Sequence, residues 1–558
     1  MEALDWLVIG VFFLALIGII VWVVRQKQND SADYFLGGRD ATWLAIGASI
    51  FASNIGSEHL IGLAGAGASS GMAMAHWEIQ GWMILILGWV FVPFYSRSMV
   101  YTMPEFLERR YNPQSRTILS VISLVSYVLT KVAVTVYAGG LVFQQVFGIK
   151  ELWGIDFFWI AAIGLVVLTA LYTIFGGMKS VLYTSVLQTP ILLLGSLIIL
   201  VLGFKELGGW DEMMRVCGAV TVNDYGDAMT NLIRSNDDAN FPWLGALIGS
   251  AIIGFWYWCT DQFIVQRVLS GKNEMEARRG TIFGAYLKLT PVFLFLIPGM
   301  VAFAMQKHGI TVNGETFTMS SADAAFPTLV AKLLPAGFKG LVVCGILAAL
   351  MSSLASLFNS SAMLFTIDFY KKYRPKASEK TLLYVGRVAT VVVVVLGILW
   401  IPVMKSVGSV LYNYLQDVQS VLAPGIAAAF LLGICSKKAT PKGGMWGLIA
   451  GFIIGITRLG AKVYYTSGAT FSDSWFKYLF YDTNWLFFCG GMLLFCMLVI
   501  VVVSRFTTPA PAEQIVGLTF GSTTDEQRAV TRASWNKWDV IHSAIIILIT
   551  VVFYWYFW

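Results

Sequence analysis

A hydrophobic segment near the N-terminus is interrupted in its middle by polar residues. Residues 41–74 read ATWLAIGASIFASNIGSEHLIGLAGAGASSGMAM, and the stretch from Ser53 to His59 separates two apolar halves. Within hydrocarbon every backbone polar group needs an internal partner, so irregular backbone occurs there only where it is buried in protein or lines a cavity. Such a break exposes backbone carbonyl groups, and it therefore indicates a binding site rather than a plain membrane anchor.

The composition places this segment in a membrane. Of the 558 residues, 57% are hydrophobic and only 13% are charged, and the mean hydropathy is +0.72. The net charge of +6 fits basic cytoplasmic loops, so we predict no nucleic-acid partner. The six cysteines show no disulfide or metal-ligand spacing. No nucleophile–base constellation is visible either, so we predict that the chain is not an enzyme.

The apolar runs predict an all-α integral membrane protein with 14 spans in one transmembrane domain, residues 1–558. The predicted spans are residues 4–24, 43–71, 76–96, 116–147, 156–175, 179–204, 241–266, 280–304, 336–368, 382–404, 409–434, 443–461, 484–504 and 538–557. The first run has no basic leader, so residues 4–24 are interpreted as a retained extra helix. Lysine and arginine crowd alternate loops, which predicts that both termini lie outside the cytoplasm.

Glu78, Lys131, Asp261 and Lys288 are among the charged residues that fall inside predicted spans. A charge at membrane depth costs about 3 kcal/mol on insertion scales unless it is paired or hydrated. Glu78 and Lys288 therefore form either a structural ion pair or a polar cluster that binds a hydroxyl-rich solute. We favour the solute site, because charges within the membrane commonly mark transport pathways.

The seventh predicted span, residues 241–266, repeats the interruption of the second at Cys259-Thr260-Asp261-Gln262. Matching breaks five spans apart predict two inverted five-helix repeats, residues 43–204 and 241–434, followed by additional C-terminal helices at 443–558. The adjacent cluster Trp256-Tyr257-Trp258 is typical of an interfacial aromatic belt. Beside a helix break it also offers a stacking surface for a sugar ring.

Several long motifs follow one another in the order of a known family. They read FASNIGSEHLIGLAG, GGM-x3-LYTSVLQT, WYWCTDQFIVQR, LAALMSSLASLFNSSAMLFTIDFY and YLQDVQSVLAPGIAAAFLLG. Together they resemble the sodium/glucose cotransporter family of the solute:sodium symporters, from about residue 34 to residue 460. The resemblance implies a LeuT-like core of ten helices, with its first and sixth helices broken and with extra flanking helices.

The resemblance also implies two sites. The sodium site uses the carbonyl groups of Ala52, Ile55 and Ala349 and the hydroxyl groups of Ser352 and Ser353. The substrate site comprises Asn54, His59, Glu78, Trp258, Lys288 and Gln416, with Tyr257 as an inner gate. Na⁺ is a hard cation that prefers such oxygen ligands. The serines taken alone are equally typical of close helix packing, and the resemblance gives no role to Lys131 and Asp417, for which a structural network is expected.

Three positions depart from the family pattern. Ser185 stands where an acidic residue is usual, and Ala355 stands where members that bind two sodium ions carry threonine. These two changes predict one Na⁺ per substrate. Gly254 replaces a usual sugar-binding side chain, which predicts a lost hydroxyl contact and free space beside the substrate.

The overall prediction is a sodium-coupled symporter of the plasma membrane that imports a glucose- or galactose-like sugar by alternating access. Its partners are a neutral sugar or polyol, Na⁺ and the lipid bilayer. The alternatives are a symporter for myo-inositol, a carboxylate or another small solute, and a sodium-dependent sugar sensor or leak channel. The pairing of Glu78 with Lys288 argues against an anionic substrate, which requires an unpaired cation. Na⁺ is the coupling ion, and no organic cofactor is expected.

Overall fold

The structure, a computed structural model, describes residues 1–26, 28, 30–56, 58–407, 411–466 and 474–558. The side chains of residues 129–130, 141, 145, 403–407, 411–417, 466 and 474 are also outside the description. The described chain is mostly helical and includes two small antiparallel sheets. In these sheets β1 (Glu151–Leu152) pairs with β2 (Ile155–Asp156), and β3 (Thr311–Val312) pairs with β4 (Glu315–Thr316).

The α-helices of the first half of the chain run from the N-terminus to the loop before the second break. They are α1 (Ala3–Val24), α2 (Ser31–Leu36), α3 (Trp43–Asn54), α4 (Ala64–Ser69), α5 (Ala75–Glu78), α6 (Gly81–Ile86), α7 (Val92–Ser98), α8 (Met103–Arg110), α9 (Pro113–Ser126), α10 (Ala133–Phe147), α11 (Phe157–Leu207) and α12 (Trp210–Gly218).

The second half continues with further helices up to the C-terminus. They are α13 (Trp243–Gly254), α14 (Gln262–Leu269), α15 (Glu274–Lys288), α16 (Ile297–His308), α17 (Ala325–Leu333), α18 (Phe338–Met363), α19 (Lys371–Tyr373), α20 (Glu379–Val407), α21 (Leu411–Cys435), α22 (Pro441–Thr466), α23 (Ser474–Lys477), α24 (Trp485–Arg505), α25 (Asp525–Ala533) and α26 (Lys537–Tyr556). Wider π-helical turns link several of them, at Glu58–Leu63, Leu87–Phe91, Tyr127–Val132, Phe255–Thr260, Val292–Leu296, Leu364–Tyr370 and Tyr478–Asp482.

The helices form a buried centre with an apolar periphery. Helix α18 is buried along nearly its whole length and packs along α11 and α3. Helices α1, α24 and α26 leave many of their large apolar side chains exposed. A helix that exposes such a surface needs lipid around it, so the prediction of a multi-span membrane protein is supported.

The described residues contain 11 helices long and apolar enough to cross a membrane, whereas the sequence predicts 14. Predicted spans 156–175 and 179–204 are two helices that meet without a loop and are counted together as α11. They join at a kink at Gly177, whose φ 55° and ψ −147° are not helical. An added Cβ at Gly177 collides with the carbonyl oxygen of Tyr34, so a glycine is required there. Predicted spans 43–71 and 116–147 are divided into shorter helices, which accounts for the remaining difference.

Both predicted helix breaks are present. Helix α3 ends at Asn54, Ile55 is extended at φ −77° and ψ 113°, and a π-helical turn follows at Glu58–Leu63. Ser57, inside this break, lies outside the described residues. At the second break Asp261 is extended at φ −79° and ψ 127° and begins α14.

Two further breaks were not predicted. Helix α5 ends at Glu78, and Ile79 and Gln80 leave the helical conformation before α6 begins. Helix α15 ends at Lys288, shortly before Pro291, which has no N–H group and so removes one helical hydrogen bond at the point where the chain becomes helical again. The two charged residues therefore both lie at interruptions within the buried part of the chain.

Candidate ion and substrate sites

A small cavity lies where the broken helices meet. Its lining residues are Asn54, Glu58, His59, Trp77, Glu78, Gln80, Ile253, Gly254, Tyr257, Trp258, Lys288 and Gln419. The fold thus brings together all the predicted substrate residues except Gln416, whose side chain lies outside the described residues, as does that of Asp417.

The cavity has a volume of about 60 Å³. A buried water needs roughly 10–15 Å³, so this space suits a few water molecules. Pockets that hold small organic ligands measure about 300–1,000 Å³. The space is therefore too small for a sugar, and a solute enters only after the lining side chains move apart.

Glu78 is the centre of the polar contacts in this cavity. Its Oε2 atom lies 2.6 Å from Nζ of Lys288 and 3.2 Å from Nε2 of His59. All three side chains are at least nine-tenths buried. Because a carboxylate only accepts hydrogen bonds, Nε2 of His59 carries a proton in this arrangement. Asn54 lies beside the cluster, with its amide nitrogen 3.4 Å from the same ring nitrogen, a contact between two N–H groups rather than a hydrogen bond.

Two buried polar atoms at the cavity have no hydrogen-bond partner within the described part of the chain. They are Nδ1 of His59 and the indole N–H donor Nε1 of Trp77. Buried polar atoms are normally satisfied by protein, water or ligand, so each such atom requires an explanation. A hydroxyl-bearing solute in the cavity supplies partners for both.

Aromatic rings form one wall of the cavity. Nζ of Lys288 lies 5.3 Å from the centre of the Trp258 ring, within the range of a cation–π interaction. Tyr257 packs edge-on against Trp258, with their ring centres 4.9 Å apart. Trp258 is thus contacted on two sides and buried, so it forms part of the cavity wall rather than an aromatic belt at the membrane surface.

The residues at the second break form a separate cluster. Nζ of Lys131 lies 2.8 Å from Oδ2 of Asp261, and the hydroxyl of Tyr127 donates to Oδ1 of the same carboxylate. Lys131 also lies 4.6 Å from the ring centre of Tyr257. Asp261 is therefore the structural partner of Lys131, which the sequence did not identify. Through Lys131 the Tyr257 ring is also in contact with the residues of the second helix break.

The predicted sodium ligands lie where α3 meets α18. Ala52, Ile55, Ala349, Ser352 and Ser353 are all buried. The last carbonyl groups of an α-helix have no intrahelical donor, which leaves those at the end of α3 open to an ion. An added Cβ at Gly56 would lie 3.3 Å from Oγ of Ser353, so this hydroxyl is directly beside the unwound backbone.

Further hydroxyl groups, which sequence reasoning missed, surround this point. Ser53 and Ser356 approach to 2.6 Å, joining α3 to α18. Ser185, at the position of a usual acidic residue, lies 3.3 Å from Ser352 and 3.5 Å from Ser49. The result is a buried cluster of uncharged oxygen atoms, which suits Na⁺.

Gly254 lines the cavity, but the prediction of free space beside it is wrong. The amide of Gln80 occupies the position that a Cβ would take, and its Nε2 donates to the carbonyl of Ser250 at 2.8 Å. The amide of Gln80, from the interruption between α5 and α6, has thus replaced the missing side chain. Gln80, Trp77 and Gln419 are cavity residues that the sequence motifs did not indicate.

Comparison with known proteins agrees with the family resemblance of the sequence motifs. A family model described as the sodium:solute symporter family matches residues 34–451. Sodium/glucose cotransporter 1 of Ovis aries is 38% identical over 91% of this chain and 79% of its own length. Sodium/glucose cotransporter 2 of Rattus norvegicus is 38% identical over 92% of this chain and 80% of its own length.

One solved structure, of a Na⁺-coupled sialic acid symporter, has a TM-score of 0.73 at 21% identity, covering 91% of this chain and 99% of that one. This likeness shows a shared fold. The family match confirms Na⁺ as the coupling ion and a transporter rather than an enzyme. The chain belongs to the sodium:solute symporter family.

Proposed function

We propose that this chain imports a neutral sugar together with Na⁺ across the plasma membrane by alternating access. The similar proteins from Ovis aries and Rattus norvegicus are named sodium/glucose cotransporters. The chemistry of the cavity supports the same class of solute. Its lining combines a carboxylate, an ammonium group, amides and an imidazole beside an indole ring, and hydroxyl groups can accept from and donate to all of these polar groups.

The pairing of Glu78 with Lys288 carries the proposal. Lys288 is the one lysine or arginine among the described cavity-lining residues, and it already lies 2.6 Å from a carboxylate. Glu58 adds a second carboxylate to the lining. A carboxylate substrate would meet this negative excess without a free cation, whereas a neutral sugar places its hydroxyl groups between the paired charges.

Sodium and sugar are coupled through the first break. Ala52 and Ile55 belong to the proposed ion site, and Asn54, between them, reaches the substrate cluster through His59. Na⁺ bound between α3 and Ser353 fixes the backbone that carries Asn54. Because each ligand then favours the same arrangement of the break, each raises the affinity for the other.

The finer architecture belongs to the same proposal: 14 spans, two inverted repeats (residues 43–204 and 241–434) and both termini outside the cytoplasm. The two interruptions support the repeats. One extended residue breaks each of the two corresponding segments, Ile55 in the first and Asp261 in the second.

A symporter for myo-inositol or another polyol is the second candidate. It is favoured by Gln80, because an amide beside Gly254 offers a donor and an acceptor where the family carries a single short side chain. Such a change alters which ring hydroxyl groups are recognised without changing the class of solute.

Uptake into proteoliposomes tests the proposal. We expect an inward Na⁺ gradient, but not an equal K⁺ gradient, to drive accumulation of radiolabelled glucose above its equilibrium level. Unlabelled galactose, myo-inositol and lactate then compete in turn. Stronger competition by myo-inositol than by any hexose would identify a polyol carrier, and equilibration without accumulation would identify a leak channel.

A further inference from the structure

A second polar cavity lies at the end of the span Gly71–Ser98, on the side that the basic loops mark as cytoplasmic. It measures about 330 Å³ and shares no lining residue with the substrate cavity. Arg97, from the last turn of α7, and Arg528 and Arg532, from α25, line it. Its aromatic walls include Trp89, Phe94, Phe520 and Trp535.

The arginines of this cavity are incompletely satisfied by the protein. Within the described residues neither Arg97 nor Arg532 forms an ion pair, and Nε of Arg97 and Oγ1 of Thr531 have no hydrogen-bond partner. The guanidinium groups instead lie over aromatic rings, that of Arg532 at 3.8 Å from the Trp535 ring centre and that of Arg97 at 4.9 Å from the Phe94 ring centre. Stacking leaves the N–H edges of these groups available for an anion.

The nearby carboxylates do not neutralise the cavity. Glu274 attracts Arg97 electrostatically, but its carboxylate lies 2.8 Å from Arg278 and accepts a hydrogen bond from Ser534. Asp525 lies 3.3 Å from Arg528, but its carboxylate is 97% exposed. A positive excess therefore remains among the three lining arginines.

The segment that closes the cavity has the character of a membrane-surface structure. Between α24 and α26 it exposes large apolar side chains, with Phe506 85% and Val530 62% exposed. Water disfavours such side chains, whereas the boundary between headgroups and acyl chains accommodates them. Trp89 and Trp535 have the amphipathic rings that concentrate at that boundary.

We propose that this cavity binds the phosphate-bearing headgroup of an anionic phospholipid. Arg97, Arg528 and Arg532 supply charged donors to the phosphate, and the aromatic walls cover the glycerol region. Basic pockets beside transmembrane helices on the cytoplasmic side suit such headgroups. The volume lies at the lower end of the range of about 300–1,000 Å³ for ligand pockets, which fits a headgroup rather than a whole lipid.

Binding to the purified full chain in neutral detergent tests the assignment. The probes are dioctanoyl-phosphatidylglycerol, dioctanoyl-phosphatidylcholine and inorganic phosphate. We expect only phosphatidylglycerol to bind measurably, and Arg528→Gln combined with Arg532→Gln to weaken it about 30-fold, as two charges near a phosphate predict. Both substituted side chains are exposed, so the fold is expected to survive, which thermal unfolding checks.

The matched control removes two charges elsewhere, with Arg374→Gln and Arg505→Gln, two exposed residues that do not line the cavity. This variant should bind phosphatidylglycerol as the unchanged chain does. Equal loss in both double variants would show a nonspecific charge effect and overturn the proposal. Binding of inorganic phosphate as tight as that of phosphatidylglycerol would overturn the assignment to a lipid headgroup in favour of a soluble anion.

Discussion

Lys288 and Glu78 end two different helices, and their charged groups meet at 2.6 Å inside the substrate cavity. Each charged residue is the last residue of its helix, and the α-helix is interrupted directly after it. Both residues also line the cavity, which a pair that only stabilised the bundle would not need to do. The interruptions place both charges in the cavity, where a solute can separate them.

The first prediction concerns this pair. Glu78→Gln or Lys288→Gln alone should destabilise the protein, because losing one partner of a buried pair costs about 3–5 kcal/mol. Glu78→Gln combined with Lys288→Gln should regain thermal stability, since no unpaired charge remains, but it should not regain glucose uptake. Thermal unfolding in detergent and uptake in proteoliposomes measure the two effects separately.

A second ion pair supplies the control for that experiment. Arg279 lies 3.0 Å from Asp539 and joins α15 to α26 outside the substrate cavity. Arg279→Gln combined with Asp539→Asn should retain uptake. If the Glu78 and Lys288 double variant also transports normally, the pair is structural and our assignment of the site is wrong.

The parts of the site that the sequence predicts are those with a strong local signal. Polar residues inside apolar runs indicated the breaks at Ile55 and Asp261, and charges at membrane depth indicated Glu78 and Lys288. The sequence did not indicate Gln80 or Trp77, because an amide and an indole are unremarkable near the end of a span. Their importance depends on contacts across the fold, such as that of Gln80 with Ser250.

The sequence indicated only part of the pairing of Lys131 with Asp261. Opposite charges within the membrane usually pair, but Glu58 and Asp417 also lie inside predicted spans, so the sequence did not determine which carboxylate pairs with Lys131. The sequence also indicated an interruption at residues 176–178, between predicted spans 156–175 and 179–204. Apolar runs do not show how the chain passes from one span to the next, and only the backbone shows that it kinks at Gly177 without a separate loop.

The second prediction concerns sodium. Ser353→Ala removes an oxygen beside the unwound backbone at Gly56 and should raise the half-saturating Na⁺ concentration about tenfold, as expected for one lost contact to a charged ligand. Ser361→Ala, a buried serine farther along α18, is the matched control and should leave the sodium dependence unchanged. Equal sodium dependence in both variants would mean that Ser353 only packs.

The third prediction is a stoichiometry of one Na⁺ per sugar. Ala355 and Ser352 are both buried, three residues apart on α18, and so share a helix face, while Ser185 approaches Ser352 from α11. Ala355 lacks the hydroxyl oxygen of the family threonine, and Ser185 lacks the negative charge of the usual acidic residue. Reversal potentials in proteoliposomes should give one charge per sugar, and a value of two would refute this prediction. Ala355→Thr combined with Ser185→Asp should steepen the sodium dependence.

The fourth prediction concerns pH and the loop before α13. Burial alone raises the pKa of Asp238. The backbone N–H of Phe241 and the amide of Asn223 donate hydrogen bonds to its carboxylate and lower the pKa by more than burial raises it, so the pKa of Asp238 lies below its usual range. A carboxyl whose pKa is lowered on folding stabilises the protein above the unfolded pKa of about 3.9, and this stabilisation is lost as the pH falls through the folded value.

Asp238→Asn should therefore lower the midpoint of thermal unfolding at neutral pH, and its difference from the unchanged chain should shrink below about pH 4. The exposed neighbour Asp237 provides the control, since Asp237→Asn should show little difference at either pH. A constant difference across the whole range would mean that ionisation of Asp238 does not contribute.

The fifth prediction concerns Gly254 and Gln80, which compete for the same space. Gly254→Thr forces the Gln80 amide away from Ser250, so the half-saturating glucose concentration should rise roughly tenfold, the effect of a buried polar group left unpaired. With Gln80→Ala added, the threonine hydroxyl has room to face the solute. Sugar affinity should then return, with a changed preference among glucose, galactose, mannose and myo-inositol in competition assays.

Gly164→Thr, at a position where an added Cβ meets nothing within 4 Å, controls for the substitution itself. If Gly254→Thr alone transports as the unchanged chain does, the Gln80 amide moves aside without cost, and it cannot be the group that replaces the missing side chain.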